Sequence, residues 1–130
     1  MRPTIVLLSP PQDHQRIAMR IQNAGIYTQG ATSDRLDRGE YRFGVDTSEG
    51  VLRGFDKDEL DEISHRFDGG FQAILLEYSG VRCIRGLLRA ILQGASGLLD
   101  TNYGELVEYE EVLARFLREP LWDWRSTAAG

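Results

Sequence analysis

Cysteine, lysine and histidine are scarce: the 130 residues hold one, one and two of them. A lone Cys83 cannot close an internal disulfide, so nothing calls for an oxidising compartment and the cytoplasm is the expected location. His14, His65 and Cys83 lie 51 and 18 residues apart, with no HxxxH or CxxC spacing, so no metal site is expected. Long apolar runs are also missing. The short stretch Ile5-Val6-Leu7-Leu8 before Pro10-Pro11 is too small for a secretory core and far below the ~20 residues of a membrane helix. A basic excess is absent too, because 15 basic residues face 20 acidic ones for a net charge of −5. Phosphate-backbone binding normally shows as a basic domain, so no direct nucleic-acid partner is expected. Arg82, Arg85 and Arg89, on one face of a helical stretch, read as solvated surface. Fourteen of the fifteen basic residues are arginine, whose planar fork suits bidentate contacts.

The residue patterns of catalysis are missing as well. Ser79-Gly80 follows a buried strand and precedes a helix, but the flanking residues Glu77, Tyr78 and Val81 break the GxSxG frame. Ser79 is expected to cap that helix, and Cys83 to sit in its first turn as a small inert residue. Gly94-Ala95-Ser96-Gly97 leads into a strand, so its glycines do not present a helix N-terminus to a phosphate. The first strand ends Leu8-Ser9-Pro10 without the carboxylates of a phospho-acceptor pocket. No enzyme and no cofactor are expected; only a deep pocket holding His14 or His65 beside carboxylates would reopen that reading.

What is present is one domain's worth of alternating strands and helices over residues 1–130. Thr4–Ser9 and Phe71–Tyr78 carry the aliphatic runs of strands covered on both faces. Helices are expected after Pro10-Pro11, with Ile17, Ala18 and Ile21 inward and Gly25 as the stop, and after Gly80, with Ile84, Leu87, Leu88 and Ile91 inward. Asp56 and Glu59 form a capping box that starts a helix at Lys57, ended by Gly69-Gly70. Residues 32–39 read as a polar loop, and Tyr41–Asp46 with Val51–Arg53 as a hairpin. Leu98–Asp100 and Glu105–Tyr109 read as two strands around Thr101–Gly104, followed by a helix over Glu110–Glu119. Together they predict an α/β (α+β) fold: a two-layer sandwich with a mixed sheet, ferredoxin-like or a variant. A three-layer, receiver-like regulatory or sensory domain without a phosphorylation site is the alternative.

Charge then singles out the last quarter of the chain, where residues 100–130 hold seven acidic and three basic side chains. Asp100, Glu105, Glu108 and Glu111 cluster around the hairpin with Tyr103 and Tyr109 among them, and Trp122 and Trp124 follow. Aromatics amid charge are the composition of interface hot spots, and the carboxylates suit a partner with a basic surface. These eight residues are the candidate partner-binding set. The second acidic run, Asp56, Asp58, Glu59, Asp61 and Glu62, reads as helix capping and solubility.

From Phe71 to Phe116 the chain resembles small bacterial immunity proteins, the cognate inhibitors of polymorphic or contact-dependent toxins. The residues that carry the likeness are FQAILLEYS, the helix after it, and LLDTNYGELVEYEEVLARF. The resemblance implies a cytoplasmic protein that binds a toxin domain, covers its active site and has no activity of its own.

Overall fold

The computed structural model describes residues 2–125. Along β1 (Thr4–Ser9), Ile5 and Leu7 point to one face and Val6 and Leu8 to the other, and all four are buried. A strand of that kind must lie inside its sheet, and β1 does. The remaining strands are β2 (Ile26–Thr28), β3 (Asp34–Arg38), β4 (Tyr41–Asp46), β5 (Gln72–Glu77), β6 (Leu98–Asp100) and β7 (Leu106–Glu108). All seven form one sheet in the order β2-β3-β4-β5-β1-β6-β7. The helices are α1 (Pro11–Gln22), α2 (Lys57–Ser64), α3 (Val81–Ile91) and α4 (Tyr109–Arg118).

The α+β class expected from the sequence is the one adopted. Its four central strands, β4-β5-β1-β6, are connected as in a ferredoxin-like sheet. The crossover through α1 returns by the β2-β3-β4 meander to β4, leaving β5 between β1 and β4; α3 carries the chain from β5 over β1 to β6. The strand skipped by each crossover runs the other way, so every pairing is antiparallel, where a mixed sheet was expected. A β-α-β rhythm suggests parallel neighbours, but here the parallel strands are never adjacent. The same finding removes the parallel sheet of a receiver-like fold.

One sheet face carries the larger core. Ile5, Leu7, Ile74, Leu76 and Leu99 meet Ile17 and Ile21 of α1, Ile84, Leu87, Leu88 and Ile91 of α3, and Val112 and Phe116 of α4. Burying each aliphatic side chain contributes roughly 1.5–3 kcal/mol, so the α3 stripe alone is a major source of stability. The other face is only partly covered. There Val6, Leu8, Ala73 and Leu98 pack with Ile63 of α2 and Val51 of a 3₁₀ helix over Glu49–Gly54.

Several local expectations are corrected. Residues 34–38 form β3 and not a loop: Leu36 alone points into the core, while Asp37 pairs outside with Arg35 and Arg42, each at 3.1 Å. The Val51–Arg53 strand is replaced by the 3₁₀ helix, which needs only Val51 inward. The Asp56–Glu59 capping box forms, with Glu59 N–H donating to Asp56 at 2.8 Å and Asp56 N–H to Glu59 at 3.0 Å. However, α2 stops at Ser64, and Phe67 leaves the helix to stack on Phe71 at 5.4 Å. The cap of α3 is Gly80 with no side-chain bond, while Ser79 Oγ lies 3.8 Å from Cys83 Sγ. Gly25 does not end α1, which is capped by Asn23; a Cβ at Gly25 would lie 2.2 Å from the Asp37 carbonyl oxygen.

Candidate functional site

The β6–β7 hairpin is built by local bonds. Asp100 Oδ1 accepts Asn102 N–H at 2.8 Å, and Asn102 takes the left-handed φ of 63° that asparagine tolerates. The Asn102 amide then donates to Thr4 O and Thr4 Oγ1, both at 3.0 Å, which pins the tip to the start of β1. Tyr103 is left 39 % exposed beside it. Glu105 precedes β7, Glu108 is its last residue, and α4 begins directly after Glu108.

Opposite the hairpin stands α2, and the space between them is a groove. One part, about 480 Å³, is walled by Glu59 and Glu62 of α2 and by Asp100 and Glu105 of the hairpin. A second part, about 520 Å³, lies at the end of β1 beside Asp68, Glu108 and Glu110. Arg66 borders both. Seven carboxylates thus line the two parts, with Arg66 the one basic residue of either lining. Burial raises the pKa of Asp100, the Asn102 N–H partly offsets that, and the Glu59 carboxylate adds a smaller upward push.

The carboxylates are not equally free. Arg115 reaches Glu105 at 3.4 Å and Glu111 at 3.3 Å, and Arg118 reaches Glu111 at 2.8 Å. The Arg118 bond, then that of Arg115, holds the Glu111 carboxyl below its ordinary range. Glu62, Glu108 and Glu110 enter no ion pair among the described residues. Comparisons with known protein families, curated proteins and solved structures find no match.

Of the eight residues singled out by sequence, Asp100, Glu105 and Glu108 line the hairpin side of this groove, Tyr103 is exposed at the hairpin tip outside that lining, and Glu111 sits on the adjacent α4. The other three are interior. Tyr109 is 1 % exposed, with its hydroxyl bonded to Ser9 Oγ at 2.6 Å and to Leu8 O at 3.0 Å. Trp124 is fully buried and donates to the Tyr78 hydroxyl at 2.7 Å; Trp122 is 6 % exposed, under Arg115 at 4.8 Å. Arg85, read as solvated, clasps this segment by donating to Pro120 O and, at 2.9 Å, to Trp122 O, while its guanidinium covers Phe116. A buried aromatic cannot meet a partner, so these three hold α4 and the following turn to the core.

Sequence reasoning missed Glu59 and Glu62 as groove residues. Their spacing with Ile63 and Arg66 was the available signal, because positions three and four apart share one helix face and Ile63 must face the sheet. No group of three His, Cys, Asp or Glu side chains among the described residues could hold a metal ion. Nor is any helix there long and apolar enough to cross a membrane.

Proposed function

We propose that this chain is an immunity-type protein that docks onto a cognate toxin domain with a basic surface, occludes that domain's active site and performs no chemistry itself. The observation that supports it is the groove, whose lining draws carboxylates from two separate segments and only one basic residue, Arg66. Such a field attracts a cationic partner over about a Debye length, ~8 Å at physiological salt, and raises encounter rates by ~10–10³-fold. Glu62, Glu108 and Glu110 carry most of that attraction, since Glu105 and Glu111 must first exchange their arginine partners. Tyr103, exposed at the hairpin tip outside the groove lining, is available as a separate aromatic contact.

Co-expression in a bacterial host with a toxic domain encoded beside this chain is the test. Growth is restored by the wild-type chain and lost with the Glu62→Arg/Glu108→Arg pair, whose circular dichroism stays native. A wild-type chain that gives no protection rejects the reading; a charge-reversed chain that protects fully rejects the groove.

A further inference from the structure

A second, separate cavity of about 220 Å³ lies on the α1 face, at the far end of the sheet from the acidic groove. Ile21 and Val45 give it apolar walls, and His14, Tyr27 and Asp34 give it polar ones. The Tyr27 hydroxyl donates to Asp34 Oδ2, and Asp34 Oδ1 accepts the Gly30 N–H at 3.1 Å. These two bonds fix the carboxylate in place and leave lone pairs on both its oxygens. The Tyr27 proton is tightly held, first by burial and then by Asp34.

His14 adds a second observation. Its Nδ1 is buried with no hydrogen-bond partner among the described residues, a state that costs stability unless something bonds it. Burial lowers the pKa of His14, which favours the neutral ring, in which one nitrogen accepts a hydrogen bond. No lysine or arginine lines the cavity, so an anion entering it would meet only the Asp34 carboxylate. The available chemistry is a fixed negative charge, acceptor lone pairs and the Tyr27 ring, all of which favour a positively charged donor.

We propose that this cavity is a binding site for a compact organic cation, a protonated amine or guanidinium held by Asp34 and His14 against the Tyr27 ring. Its volume falls below the ~300–1,000 Å³ of pockets for drug-sized ligands, so the ligand is smaller than those.

The test uses agmatine as probe, with acetate as the anionic comparator, followed by calorimetry and by the ring resonances of His14. Agmatine binds saturably and moves those resonances. Asp34→Asn weakens binding by about ten-fold or more, the usual effect of losing one charge-assisted hydrogen bond. Gln29→Lys at the exposed mouth places a competing cation there without touching the Tyr27–Asp34 bond, and also weakens binding about ten-fold. Should Asp34→Asn fail to fold, Gln29→Lys decides alone. No saturation by about 10 mM agmatine, acetate binding as tightly, or unchanged affinity in either folded variant overturns the proposal.

Discussion

Tyr109→Phe removes one hydroxyl and keeps the ring, which makes it a clean probe of what this residue does. In the structure the hydroxyl bonds Ser9 Oγ at 2.6 Å and Leu8 O at 3.0 Å, where Ser9 and Tyr109 are each 1 % exposed. The phenyl ring retains its packing, so the loss is that of a partner to a buried hydroxyl, worth ~1–3 kcal/mol with ~2 as the working value. For a chain of 130 residues each kcal/mol moves Tm by roughly 3–6 °C, so Tm should fall by about 6–12 °C. Urea unfolding gives the free energy directly. Adding Ser9→Ala removes the orphaned hydroxyl, so the double variant should be more stable than the sum of the two singles by about 1 kcal/mol. Association with a partner should not change, because the side chain meets no solvent. A Tm within about 1 °C of wild type, or a slowed association with stability intact, would place Tyr109 at the surface and refute the reasoning.

Further outcomes follow from the same contacts. Burial holds the Tyr109 hydroxyl above its ordinary value of 10.0, so the folded chain keeps a proton that the unfolded chain releases. Stability is therefore full below pH ~10 and falls above it by up to ~1.4 kcal/mol per pH unit, and Tyr109→Phe should remove that share in urea titrations between pH ~9 and ~11. Gly97→Ala should cost more than about 2 kcal/mol, since its Cβ would lie 2.4 Å from both Leu8 O and the Tyr109 ring. Gly86→Ala, inside α3 with open space around it, should instead stabilise by about 0.5–1 kcal/mol. Denaturant midpoints of opposite sign check both. Asp56→Ala should lower stability by ~1 kcal/mol through loss of the α2 cap.

Segments with one strong period were legible in the sequence. Both-face burial of Ile5–Leu8, the apolar stripe of α3 and the Asp56–Glu59 box follow from local chemistry, and each stands in the structure. β3 was not legible, because Leu36 is its one fully buried residue and its backbone bonds come from β2 and β4. The hairpin carboxylates were legible as a cluster, but the facing wall was not. Glu59 and Glu62 reach them only because β1 lies between β5 and β6 and α2 packs over that face, which is long-range topology. Tyr109, Trp122 and Trp124 misled for a related reason: aromatics among charges resemble an interface until Ser9, Arg85 and Tyr78, far away in sequence, are seen to enclose them.

If the groove between α2 and the β6–β7 hairpin recruits a basic partner, as proposed, association must depend on its carboxylates and on salt. Stopped-flow association of the chain with the proposed toxin domain, at ~20 and ~200 mM salt, with wild type and the Glu62→Arg/Glu108→Arg pair, measures that dependence. The wild-type rate should fall steeply as salt rises, and the charge-reversed rate should be at least about ten-fold lower at low salt and nearly salt-independent. Equal rates and equal salt slopes for the two proteins would contradict it.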